Sequence, residues 1–254
     1  MLESATDFVH RVGGVPCNNA RVRVWFADLD KQPAEMAQLS WLSTSEHVKA
    51  VRLKMPQDRR RYLASCVVTR QVLSNETGIL PENLQILTNK CGKPRLSPLA
   101  VVGRPPSKSL LRFNVSHSEN FLCIATALGS DVGVDIEVVN PSLDVLAISR
   151  ACFDQENYEQ VRCSSQKERV LVFYRLWTRR EAFAKMLGHG VSSQHLHRMP
   201  APPWSRRTLE FTLGGKQIVG SLAIGTPTGY STLLDEQNAR FICCDRKPRS
   251  AGPS

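Results

Sequence analysis

The stretch from Val132 to Val138 constrains the fold of this chain more than any other. Val132, Val134, Ile136 and Val138 alternate with Gly133, Asp135 and Glu137, the period of an extended strand whose successive side chains leave opposite faces. One face therefore needs an apolar core against it, and the other carries two carboxylates side by side. Such a pair can hold a hard cation such as Mg2+, which takes oxygen ligands and completes its shell with water and substrate phosphate. Taken alone, an Asp-x-Glu is more often a solvated strand face.

The neighbouring sequence builds sheets and helices around that strand. Arg21 to Leu29 alternates around Val22, Val24 and Phe26 and is an early strand. Ser43 to Glu46 caps a helix running toward Leu53, and a longer helix spans Gln57 to Thr77, with Arg59, Arg60 and Arg61 in its first turn and Gly78 as its stop. Leu84 to Thr88 is a short strand, Cys91-Gly92-Lys93-Pro94 a turn and Ser97 to Ser109 a loop. Strands follow at Arg112–Val115 and Phe121–Ala127, ahead of Val132–Val138. Leu143–Cys152 reads as helical, and Gln166 to Leu187 as a long helix ended by Gly188. His189 to Arg207 is a loop, Thr208–Thr212, Gln217–Ala223 and Arg240–Cys244 are strands, and residues 247–254 are a frayed tail.

With 254 residues, the chain is long enough for one large domain or two modest ones. Its 33 Lys and Arg against 23 Asp and Glu give a net charge of +10, which favours an anionic partner without naming one. The cysteines Cys17, Cys66, Cys91, Cys123, Cys152, Cys163, Cys243 and Cys244 are scattered, with neither a Cys-x-x-Cys nor a zinc-ligand spacing. Glu3 and Asp7 stand where a targeting peptide needs basic or apolar residues, and the longest apolar stretch, Phe121 to Leu128, is far below the ~18–20 residues of a membrane span. These features describe a soluble, reducing, cytoplasmic protein.

Two further segments carry chemistry. In Trp177-Thr178-Arg179-Arg180-Glu181-Ala182-Phe183-Ala184-Lys185, residues four apart lie one above the other, so Glu181 and Lys185 are neighbours. By itself this is an ordinary helical ion pair of ~0.2–0.5 kcal/mol. In Phe113-Asn114-Val115-Ser116-His117-Ser118, a strand ends in hydroxyls and an imidazole able to donate to phosphate oxygens, although a lone His at a strand end is more often a surface residue.

The order and spacing of Asn-x-Ser-His-Ser, Gly-x-Asp-x-Glu and Trp-x-x-Arg-Glu-Ala-x-x-Lys resemble the 4'-phosphopantetheinyl transferases of the surfactin-synthetase-activating type. The likeness reaches upstream through Arg59–Arg61 and Cys91-Gly92-Lys93-Pro94 and downstream to Gly188-His189-Gly190. It implies a pseudo-symmetric α+β monomer of two similar subdomains, each a small antiparallel sheet with helices, with the active site in the cleft between them. The corresponding division is an N-terminal extension 1–20, subdomains 21–128 and 129–246, and the tail.

The implied reaction moves 4'-phosphopantetheine from coenzyme A to a serine of an apo acyl or peptidyl carrier protein. It releases adenosine 3',5'-bisphosphate and requires Mg2+, with Mn2+ as a possible substitute. By position, Asp135, Glu137 and Glu181 resemble the metal-binding carboxylates, and Lys185 the lysine at the pyrophosphate. Ser116 and His117 resemble contacts to the nucleotide phosphates, and Arg61 and Lys93 those to the 3'-phosphate and adenine end. Arg180 stands where the family usually has Lys, an exchange that keeps a phosphate contact but not a compact amine. Glu181 is metal ligand, base for the serine proton, or both.

Two other classes compete. A Mg2+-dependent phosphoesterase or nuclease would also use carboxylates in a basic surround. A nucleic-acid-binding module would explain the charge, but no zinc finger, RNA-recognition signature or aromatic-interleaved basic stripe is present. The resemblance implies neither a nucleic-acid nor a membrane partner.

Overall fold

Alternating apolar residues form two antiparallel sheets. A computed structural model describes residues 9–17, 20–32, 36–97, 111–188 and 204–225. Strands β1 (Val9–Cys17), β2 (Ala20–Asp28), β5 (Leu111–Ser118) and β6 (Phe121–Leu128) form the first sheet, in the order β1-β2-β6-β5. Strands β7 (Val132–Val138), β8 (Trp204–Leu213) and β9 (Lys216–Gly225) form the second, in the order β7-β9-β8. A hairpin of β3 (Ile86–Thr88) and β4 (Pro94–Leu96) stands apart. The helices are α1 (Met36–Leu39), α2 (Thr44–Val51), α3 (Pro56–Thr77), α4 (Val145–Cys152), α5 (Gln155–Cys163) and α6 (Gln166–Leu187).

The two sheets share one apolar layer. Val22, Val24, Phe26, Phe121, Cys123, Ala125 and Ala127 of the first meet Val132, Val134, Ile136, Ile218, Leu222 and Ile224 of the second, all of them buried. Each sheet turns its other face to one long helix of 22 residues. Ala64, Val68 and Val72 of α3 pack on Ala27, Leu122 and Ile124, while Ala182, Phe183 and Met186 of α6 pack with Ala223. The architecture is thus helix, sheet, sheet, helix, an α+β pair of similar halves.

Local signals explain the element ends. Gly78 and Gly188 close α3 and α6 in the left-handed region, at φ 70° and 75°, a conformation that costs glycine little. Ser43 and Glu46 form a reciprocal capping box at α2. Glu46 also receives Arg70 of α3, a residue 2% exposed whose guanidinium donates in addition to the Pro81 and Leu84 carbonyls. Burial alone would raise the Glu46 pKa, but the hydrogen bonds from Arg70 and Ser43 hold it below the usual range.

The structure departs from the sequence reading in several places. The stretch read as an N-terminal extension contains β1, which pairs with β2 from Val9↔Ala27 to Cys17↔Ala20; Gly13, Gly14 and Pro16 interrupt the pattern that marks a strand. Strand β5 does not stop at Val115 but pairs with β6 through Ser118↔Phe121, so His117 lies within the strand. A separate helix, α5, is capped by Asp154, whose side chain accepts from the Asn157 N–H. Trp204 to Arg207, read as loop, open β8. The remainder of that loop, the Arg240–Cys244 strand, most of the Ser97–Ser109 loop and the tail lie outside the described residues.

Candidate active site

Strand β7 places Asp135 and Glu137 on the face turned to α6, and glycine lets the helix come close. A Cβ on Gly133 would lie 2.0 Å from the Ala182 carbonyl oxygen and 2.3 Å from the Met186 nitrogen, both backbone atoms of α6. With no side chain there, the helix rests on the strand and brings Glu181 and Lys185, neighbours of those two residues, onto Asp135. Lys185 Nζ donates to Asp135 Oδ1 at 2.7 Å and to Ser116 Oγ at 2.9 Å. Ser116 in turn donates to Asp135 Oδ1 at 2.9 Å.

Glu181 is 7% exposed. Burial first, and then the negative charge of Asp135, push its pKa up to about 7, although Lys185 and Arg180 pull the other way. A carboxylate poised near neutrality is suited to taking and giving a proton.

The edge strands β5 and β7 meet through side chains. Asn114 Oδ1, Ser116 Oγ and Ser118 Oγ accept from the peptide N–H groups of Val134, Ile136 and Val138, at 2.9, 3.3 and 2.9 Å. Ser118 also donates to Glu137 Oε2 at 2.8 Å. These contacts tie the two sheets together where the carboxylates emerge. The sequence reading placed Asn114 and Ser118 in the Asn-x-Ser-His-Ser motif but gave neither a bond to β7; the signal was the two-residue spacing Asn-x-Ser-x-Ser on a strand.

The structure divides Ser116 from His117, because consecutive strand residues leave opposite faces. Ser116 turns to β7, and a phosphate contact from it would require its hydroxyl to leave Asp135. His117 turns to α3, with Nε2 2.6 Å from Ser65 Oγ. One turn earlier on α3, Arg61 grips Asp30 with two hydrogen bonds of 2.8 and 2.6 Å. Arg61, Ser65 and His117 thus form a second polar group, to which sequence reading had contributed Arg61 and His117 but not Ser65 or Asp30.

Lys93 spans the two halves. Its ammonium donates to the Met186 carbonyl near the end of α6 and lies 3.6 Å from Asp131, while Asn89 beside it donates to the Gly188 carbonyl. Burial draws the Lys93 pKa below its ordinary value. Arg180 is set apart from these groups. One residue before Glu181, it is rotated by about 100° around the helix; it donates to the Cys152 carbonyl at the end of α4 and lies 6.0 Å from the Trp177 ring centre. The expected phosphate contact from Arg180 is therefore not arranged in advance.

Among the described residues, no three His, Cys, Asp or Glu side chains already form a metal-ligand cluster. Asp135, Glu137 and Glu181 nevertheless offer a hard, all-oxygen donor set, and the cation now beside Asp135 is the Lys185 ammonium. That chemistry fits a small divalent ion.

Buried Asp135 and Glu181, with the Lys185 ammonium on Asp135 and the His117–Ser65 pair on the other face of β5, are groups suited to chemistry on an anionic substrate. The comparisons with known proteins agree. The model of the 4'-phosphopantetheinyl transferase superfamily matches residues 131–230, and that of the 4'-phosphopantetheinyl transferase N-terminal region matches residues 31–129. The chain is 29% identical over 172 residues to the 4'-phosphopantetheinyl transferase HetI of a Nostoc species, covering 67% of this chain and 70% of that protein. It is 27% identical over 154 residues to Sfp of Bacillus subtilis (61% and 63% covered) and 27% identical over 209 residues to AcpT of Escherichia coli K12 (79% and 93%). The chain belongs to the 4'-phosphopantetheinyl transferase superfamily and is an enzyme of that class.

Proposed function

We propose that the chain transfers 4'-phosphopantetheine from coenzyme A to a serine hydroxyl of an apo acyl or peptidyl carrier protein, with Mg2+ bound, and releases adenosine 3',5'-bisphosphate. The observation that carries this reading is the contact of Lys185 with Asp135 beside the buried Glu181. The serine oxygen forms a bond to the phosphorus that bears pantetheine, and the bond from that phosphorus to the bridging oxygen breaks. Glu181 accepts the serine proton, directly or through a water. Lys185 neutralises charge that grows on the bridging and leaving oxygens, a contribution that strengthens toward the transition state. Asp135, Glu137 and Glu181 would hold Mg2+, which supplies further neutralisation of the pyrophosphate.

In this reading Arg61, His117 and Lys93 would contact the 3'-phosphate and adenine end of coenzyme A. Among the described residues no helix is long and apolar enough to cross a membrane. In this reading the enzyme works as a cytoplasmic monomer. The test is chromatography of adenosine 3',5'-bisphosphate formed from coenzyme A and Mg2+, with and without apo carrier. A transferase forms it only with the carrier, whereas a phosphoesterase releases nucleotide without one.

A further inference from the structure

The hydrogen bonds of Ser118 differ in kind from those of an ordinary strand residue. Its oxygen accepts from the Val138 N–H at 2.9 Å, and its one proton goes to Glu137 Oε2 at 2.8 Å. The residue is 9% exposed, so little water competes for either bond. Anchoring the oxygen on β7 backbone leaves the hydroxyl proton aimed at the carboxylate two residues along the same face from Asp135. Ser116 makes the same pair of bonds one step earlier, to the Ile136 N–H and to Asp135 Oδ1. A glutamate swings about three torsions, and a ligand carboxylate left to swing presents its oxygens poorly; outer hydrogen bonds commonly fix such ligands.

We infer that Ser118 is a positioning residue: by fixing the Glu137 carboxylate on the α6 side of β7, it sets the affinity of the site for its divalent cation. The inference rests on the proposed reading that Asp135, Glu137 and Glu181 hold Mg2+. Ser118 itself touches neither the cation nor substrate, and acts through Glu137. It therefore governs binding rather than the chemical step.

The experiment is calorimetric titration of the full chain with Mg2+, with coenzyme A present and the carrier absent, for wild type, Ser118→Ala, Ser118→Thr and Ser118→Cys. Removing an outer hydrogen bond to a ligand weakens metal binding by about 10–100-fold. Ser118→Ala should show that loss, with a matching rise in KM for Mg2+ and little change in kcat at saturating Mg2+. Ser118→Thr keeps the hydroxyl and should bind like wild type, and Ser118→Cys, a weak donor, should fall between. Wild-type affinity in Ser118→Ala, even with a lowered Tm, overturns the inference and leaves the metal reading standing. Absence of Mg2+-dependent heat from wild type refutes the metal reading and the inference together. If Ser118→Ala does not fold, equal affinities of the Thr and Cys variants overturn the inference.

Discussion

Replacing Gly133 by Ala tests whether the approach of α6 to β7 builds the site. The added methyl would stand 2.0 Å from the Ala182 oxygen, 2.3 Å from the Met186 nitrogen and 2.9 Å from the Met186 Cα, where ordinary contacts are ~3.5 Å. All three atoms belong to helix backbone and cannot rotate away, so α6 must retreat by roughly 1 Å. Overpacking of this kind costs about 1–3 kcal/mol, and the rigidity of the obstacle argues for the upper end. At ~2–4 °C per kcal/mol for a chain of this size, Tm should fall by about 6–12 °C. Glu181 and Lys185 flank the displaced atoms, and a misplacement of ~1 Å at reacting groups can lower turnover by about 100-fold. Scanning calorimetry and kcat for carrier modification, taken well below the variant's Tm, measure the two effects separately. Gly225→Ala is the control, since a Cβ there meets nothing nearer than 3.6 Å. A Gly133→Ala protein with wild-type Tm and kcat would refute the reasoning.

Four further outcomes are expected. The Glu181 pKa of about 7 lies above its ordinary 4.5, so the folded protein holds that proton more tightly than the unfolded chain. Its contribution to stability is full below the unfolded value and is lost as pH rises through about 7; in chelator-treated protein, Glu181→Gln should therefore gain on wild type by up to ~3 kcal/mol across that window, and parallel curves in urea would contradict the assignment. Lys185→Ala should lower kcat more than it raises KM for coenzyme A, whereas a change in Tm alone would reduce it to the partner of an ion pair. Glu46→Ala should lose about 3–5 kcal/mol in denaturant unfolding because it strands the buried Arg70, and a loss under ~1 kcal/mol would show that the guanidinium finds another partner. Carrier KM should rise steeply between low and high salt, and more than that of coenzyme A, because +10 acts on an acidic carrier through solvent; a flat carrier KM would mean that apolar contacts dominate docking.

Much of the fold was legible in local sequence. The alternation in Val132–Val138 and the glycine stops at Gly78 and Gly188 follow from geometry within a few residues, and the structure reproduces them. β1 was not legible, because two glycines and a proline erase its alternation and its pairing with β2 is what makes it a strand. Helical spacing made Glu181 and Lys185 neighbours, while their meeting with Asp135 was implied only by the family resemblance; the structure sets Lys185 on Asp135. The roles of Asn114 and Ser118 were hidden because their partners are backbone groups about 20 residues away, and side-chain type says nothing of a backbone partner. For Gly133, the sequence showed its place in the motif, but only the α6 backbone against it shows why nothing larger fits.

The most direct test is intact-mass measurement of an apo carrier protein after incubation with the chain, coenzyme A and Mg2+. The carrier should gain one phosphopantetheine group, located on a single serine by peptide mapping, should gain nothing when that serine is alanine, and should gain it far more slowly when the enzyme carries Lys185→Ala. An unchanged carrier mass across a panel of fatty-acid, polyketide, nonribosomal-peptide and aminoadipate-reductase carriers, with nucleotide nonetheless released from coenzyme A, would contradict the account.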